Sequence, residues 1–159
     1  MPPPVEPPPL VRRSQGNGPD DRDRLQPGQR TMLVVEDDPR FARILYDLAH
    51  EMGFQCVLAG TGSEGLAAAL EHQPSAVVLD MNLPDFSGLG VLDQLKRNPA
   101  TRHIPVHVVS VADYSQEALG RGAVGYALKP VKRDELKQAL ERMEAKFTQS
   151  LRRVLVVED

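Results

Sequence analysis

At 159 residues the chain has room for one domain with a proper apolar core and not for two. Its formal net charge of −3 argues against electrostatic capture of a nucleic-acid backbone, so no nucleic-acid partner is expected. The single cysteine, Cys56, excludes an internal disulfide and a multi-cysteine metal cage, and fits a reducing compartment.

Residues 1–30 hold eight of the fourteen prolines, with mixed charges and almost no apolar periodicity. Such a stretch buries too little apolar surface to offset its ordering entropy, which predicts a disordered linker, with PPPVEPPP as an extended spacer. No basic-then-apolar secretory pattern opens the chain and no run is apolar enough to span a bilayer. A cytoplasmic segment without membrane contact is therefore expected, with room for a membrane-attached parent protein. From Thr31 the pattern alternates. MLVVE reads as a strand, and PRFARILYDLAHEMG as a helix with Phe41, Ile44, Leu45 and Leu48 at helical spacing. Asp38 is its expected N-cap and Gly53 its stop. FQCVLA is a second strand, holding Cys56 as a small core residue, and SEGLAAALEHQ an alanine-rich helix. SAVVLD is a strand buried on both faces, by its unbroken apolar run. SGLGVLDQLKRN is a helix ended by Pro99, PVHVVS a strand, YSQEALGRG a short helix, AVGYAL a fifth strand and RDELKQALERMEAKF a long amphipathic helix.

Five strands, each followed by a helix, predict an α/β fold: a doubly wound parallel sheet with right-handed crossovers and helices on both faces. Ligands in such sheets sit at the carboxyl ends of the strands, beside the switch point in strand order. There the first strand brings Glu36, Asp37 and Asp38, the third Asp80, the fourth Ser110, and the fifth runs into Lys129-Pro130. Asp38 by itself reads as a solvated or capping residue. Asp80 directly follows AVVL, so a buried strand holds its carboxylate close to others. Clustered carboxylates repel and raise one another's pKa unless a cation neutralises them. An all-oxygen donor set points to a hard cation, Mg²⁺ or Mn²⁺. A metal beside a lysine and a hydroxyl is suited to holding a phosphoryl group.

Taken in order, the acidic pair Glu36-Asp37, LDMNLPDFSG around Asp80, Ser110 at the end of the fourth strand, and GYALKP with Tyr126, Lys129 and Pro130 resemble one family. That family is the receiver domain of two-component response regulators, matched over residues 31–148. The resemblance implies a flavodoxin-like five-stranded sheet in the order 2-1-3-4-5. It implies that Asp80 attacks the phosphorus of a phosphohistidine, carried by a histidine kinase or a histidine phosphotransfer domain. Asp37 and Asp80 would bind Mg²⁺ directly, Glu36 directly or through water, and Asn82 through its backbone carbonyl. Lys129 would neutralise charge, Ser110 would donate to a phosphoryl oxygen, and Tyr126 would turn inward when Ser110 moves. The Lys129-Pro130 bond is a candidate cis peptide, and the domain would promote its own phosphorylation and dephosphorylation.

Departures from the family pattern carry further expectations. Val111 stands where a small residue is usual, and is expected to narrow access to Asp80. Glu36 stands where an aspartate is common, and reaches further. The short helix between Ser110 and Tyr126 reduces the usual dimer face, so a monomer or weak dimer is expected. The tail RVLVVED repeats MLVVED, which predicts a linker and the first strand of a truncated second receiver over residues 149–159. A hybrid sensor histidine kinase is the expected parent.

Three other readings compete. A pseudo-receiver would use the fold only to bind proteins, but the set of Glu36, Asp37, Asp80, Ser110 and Lys129 argues against it. A haloacid-dehalogenase-like phosphatase needs a second aspartate two residues after the nucleophile, where Asn82 stands. A flavin-binding protein would want a Ser/Thr-rich phosphate loop where EDDP stands, and that loop would repel a phosphate. The histidines, His50, His72, His103 and His107, read as surface or packing residues.

Overall fold

Short apolar runs set the frame of the computed structural model, which describes residues 20–142 apart from 86, 112–114 and 130–133. The proline-rich opening through residue 19, the Lys129-Pro130 bond and the repeat at residues 149–159 lie outside the described residues. β1 (Thr31–Val35), β2 (Gln55–Ala59), β3 (Ala76–Asp80) and β4 (Val106–Ser110) are buried at every position. β5 (Gly125–Leu128) is only half-buried. All pair in parallel, in the order β2-β1-β3-β4-β5. Strands with two covered faces need apolar residues at consecutive positions, which explains why these segments show no alternation.

The helices divide between the two faces. α1 (Pro39–Glu51) and the helix at residues 134–142, here α5, cover one face. Their Leu45, Leu48, Leu136 and Leu140 pack on Met32, Val34, Leu58 and Val78. α2 (Gly62–His72), α3 (Gly88–Arg97) and the short α4 (Ser115–Gly120) cover the other. There Ala68, Leu92, Leu95 and Ala118 meet Leu33, Val35, Leu79 and Val108. Because side chains alternate along a strand, Val78 and Leu79 belong to different layers. The flavodoxin-like, doubly wound sheet expected from the sequence is the fold observed.

Caps stand where the sequence places them. Asp38 accepts a hydrogen bond from the Arg40 N–H at 3.0 Å and Pro39 occupies the first helical position of α1. Gly53, at φ +87°, provides the left-handed residue that ends the helix. Asn98 is extended, as the residue before Pro99 must be, and closes α3. Ile44, expected on the buried face of α1, is 38% exposed, because Ala42, Leu45, Leu48 and Ala49 centre the contact one position away.

One expectation needs correction. Residues 20–30, read as the end of a disordered linker, form a strap along the outer edge of β2. Asp21 N–H donates to the Cys56 carbonyl at 3.0 Å, and its carboxylate accepts from the Cys56 N–H at 2.9 Å. Asp20 accepts from the Leu58 N–H at 2.8 Å, and the Arg22 guanidinium donates to the Leu58 carbonyl. Tyr46 and His50 of α1 reach the same Asp21 carboxylate at 2.8 and 2.6 Å. Two carboxylates, a guanidinium and one backbone N–H hold this edge, with Leu25 packed against the core, so hydropathy gave little sign of it.

Candidate functional site

The parallel register brings the ends of β1, β3, β4 and β5 to one rim. Val35 pairs with Leu79, Asp80 with Val109, and Ser110 with Leu128. Glu36, Asp37, Asp80, Ser110 and Lys129 therefore leave the sheet within a residue or two of one another in register. Glu36 is 2% exposed, Asp80 4%, and Ser110 is fully buried, while Asp37 is open to solvent. One carboxylate oxygen from each of Glu36, Asp37 and Asp80 lies within 4.8 Å of the others. The Lys129 Nζ stands 2.8 Å from Glu36 Oε1 and 3.5 Å from Asp80 Oδ1. Glu36 Oε2 in turn accepts from the Asp38 N–H at 3.1 Å.

Opposite pressures act on these groups. Burial pushes the Glu36 carboxyl up to about 7; the Lys129 ammonium opposes the rise and the Asp80 charge adds to it. Burial also raises Asp80, against the pull of Lys129 and of the Asn82 backbone N–H, with Asp37 adding to the rise. Lys129 is pushed down by burial but held above its ordinary value overall, because Glu36 and Asp80 both favour its charge. Three carboxylates against one ammonium leave the cluster over-supplied with negative charge. An all-oxygen donor set with an exposed member and surplus negative charge fits a hard divalent cation.

The loop after β3 shapes the approach. An open cleft of about 450 Å³ beside Asp37 is lined by Met81, Asn82, Leu83, Pro84, Asp85 and Ser87. Asp85 ties this loop to α2 by accepting from the Gly62 and Ser63 N–H groups at 2.8 and 2.9 Å. Gly88 opens α3 directly against the strand end. A Cβ there would stand 2.3 Å from the Asp80 carbonyl oxygen and 2.7 Å from the Met81 Cα, so only glycine lets α3 start this close. Ser87 caps α3 by accepting from the Gly90 N–H at 3.3 Å.

The remaining expected site residues fall around this centre. Tyr126 is half-buried, pairs with Val108 and packs against the layer under α2 to α4. Val111, expected to narrow the mouth, is 65% exposed. Asn82 follows Met81 on the cleft wall. Of the histidines, His50 holds the strap and His107 is buried on β4. Sequence reasoning assigned no site role to Phe41, Asp85 or Gly88. The helical period showed only which face Phe41 takes, and the glycine of LPDFSG was the signal available for Gly88.

The response regulator receiver domain profile matches residues 32–141. The chain belongs to the response regulator receiver domain family. This receiver is 39% identical over 107 residues to the transcriptional regulatory protein KdpE of Mycobacterium tuberculosis, covering 65% of this chain and 46% of that protein. The chain spans about half the length of the curated relatives it matches. A CheY-like receiver domain from Methylobacillus flagellatus superposes with a TM-score of 0.64 at 30% identity, over 72% of this chain and 98% of that one. The receiver domain of a sensor histidine kinase from Pseudomonas aeruginosa, solved with magnesium coordinated in its active-site cleft, matches with a TM-score of 0.64. It is 23% identical over 72% of this chain and 96% of its own, a likeness of fold. Among the described residues, no helix of the receiver is long and apolar enough to cross a membrane.

Proposed function

We propose that this receiver takes a phosphoryl group from a phosphohistidine onto Asp80, with Mg²⁺ held by Glu36, Asp37, Asp80 and the Asn82 backbone carbonyl. The observation that carries this is the convergence on buried Asp80 of two further carboxylates, within 4.8 Å, and the Lys129 ammonium, at 3.5 Å. An Asp80 carboxylate oxygen attacks phosphorus, the P–N bond breaks, and its electron pair stays on the donor imidazole. A carboxylate is nucleophilic without a general base once ionised. When bound, Mg²⁺ draws Asp80 into its ionised form and neutralises charge on the transferring group. Lys129 offsets the remaining charge, and the Ser110 hydroxyl donates to a phosphoryl oxygen. Tyr126 packs beside this strand end as the residue that responds when Ser110 moves.

The partner that fits is a histidine kinase or a histidine phosphotransfer domain, since both present a phosphorylated imidazole. Dephosphorylation would draw on the same residues: Lys129 would offset charge as water attacks the acyl phosphate and Asp80 leaves as a carboxylate, and Glu36, Asp37 and Asp80 would hold the cation that supplies the rest.

Intact mass after incubation with acetyl phosphate and Mg²⁺ tests the reading. One added phosphoryl group is expected, absent after EDTA treatment and absent in Asp80→Asn. No adduct in the wild type or in Val111→Ala, together with no Mg²⁺ binding, would instead assign the domain to protein binding alone.

A further inference from the structure

Among the described residues, Lys129 has three neighbours at its ammonium, and they are not equivalent. Two are carboxylates, Glu36 at 2.8 Å and Asp80 at 3.5 Å. The third is the face of the Phe41 ring, whose centre lies 4.6 Å from Nζ. On the phosphoacceptor reading, Glu36 and Asp80 are given to the metal and the phosphoryl group, so Lys129 loses both in the state where its direction matters. The ring loses nothing. Phe41 sits in the first turn of α1, two residues after Pro39, and packs against the apolar layer shared with α5. Its place is set by the core rather than by what occupies the site.

We propose that Phe41 is a positioning residue for Lys129: its ring carries the ammonium when Glu36 turns to the metal, and keeps it aimed at Asp80. A lysine head on a flexible four-carbon stem needs a partner to stay in one direction. A third carboxylate would hold it but would also cancel the charge that the phosphoryl group requires. An aromatic face attracts the ammonium through its quadrupole and leaves that charge whole. Leucine at position 41 would fill similar space in the core and offer no such attraction.

The inference rests on the phosphoacceptor reading, and the test separates the two. In the wild type, ring current shifts the Lys129 Cε protons upfield, and that shift persists when Mg²⁺ is added. Phe41→Leu abolishes it. Affinity for beryllofluoride, which mimics the phosphoryl group on an aspartate, falls about 2- to 30-fold in Phe41→Leu, while Mg²⁺ affinity by calorimetry is unchanged. Phe41→Tyr, which keeps the ring face, restores it. The inference is overturned if Mg²⁺ removes the ring-current shift in the wild type, or if Phe41→Leu binds beryllofluoride as the wild type does. It is equally overturned if Phe41→Leu loses Mg²⁺ and beryllofluoride affinity by the same factor, which assigns Phe41 to packing of the acidic cluster. Wild-type protein that takes up neither acetyl phosphate nor beryllofluoride removes the phosphoacceptor reading, and this inference with it.

Discussion

Glu36 has one methylene more than an aspartate, and that length lets a single carboxylate touch Lys129 with one oxygen and the Asp38 N–H with the other. Its pKa, raised to about 7 by burial, sets a pH dependence whose sign can be worked out. Between the ordinary carboxylate range and about 7, the folded metal-free protein binds more protons than the unfolded chain. It therefore loses stability as pH rises through that window, and Mg²⁺ restores it. Metal binding must displace the Glu36 proton, so Mg²⁺ affinity is expected to rise as pH rises through about 7 and to level off above it. Calorimetric titrations in buffers of different ionisation enthalpy check this through the protons released; Glu36→Gln should flatten the dependence, and a wild type already flat would contradict it. Gly88→Ala is a second residue-scale case. Its Cβ would collide with the Asp80 carbonyl and the Met81 backbone, and neither can yield like a flexible side chain. A loss of about 1–3 kcal/mol is expected in urea unfolding. Glu36, Asp80 and Lys129 were legible in the sequence because each directly follows a strand-length apolar run, and Asp37 because it stands next to Glu36 there. Phe41 as a platform was not, since a helical period gives a side chain's face and not which charge will lie on it.

The strap and β2 show how an element can be secured mainly by carboxylates, with Leu25 adding an apolar contact to the core. Asp21 accepts from the Cys56 N–H, from Tyr46 and from His50 with one carboxylate. Burial alone would raise its pKa, but the Cys56 N–H, His50 and Tyr46 together hold it below the usual range. A depressed folded pKa means the strap's contribution is complete above the unfolded value, about 4, and is lost as pH falls through the lower folded one. Asp21→Ala leaves the buried Cys56 N–H without this acceptor and should cost about 1–3 kcal/mol. Amide exchange at Cys56 and Leu58 should quicken in that variant at a fixed neutral pH, and unchanged protection would show that the edge is held by something else. The helix cap at Asp38 was easier to anticipate, because a short polar side chain before a periodic run carries its own mechanism. The alanines of α1 were harder. Ala42 and Ala49 centre the buried face because their size lets the helix approach the sheet, whereas the larger Ile44 is left at the rim.

At the scale of the whole molecule, one five-stranded sheet among the described residues separates two apolar layers, and Glu36, Asp37, Asp80, Ser110 and Lys129 leave it at the same end. That arrangement follows from strand–helix alternation, which is why fold and site could be read together. Leu45→Ala and Leu92→Ala each remove a fully buried side chain, one from each layer, and each should cost about 2–5 kcal/mol in chemical denaturation. If both losses appear in one cooperative transition, the layers fold as a unit. The family match opens at residue 32, yet the folded body opens at least as early as Asp20. Between those two limits lie the carboxylates that occupy the outer hydrogen-bonding groups of β2. An unguarded strand edge is a template for another chain, and side chains that already fill its hydrogen-bonding groups leave an incoming strand nothing to pair with. A fragment trimmed to the family boundary would keep its acidic rim and lose its guard, and would be expected to come out of expression sticky, concentration-limited and prone to form fibres or swapped dimers.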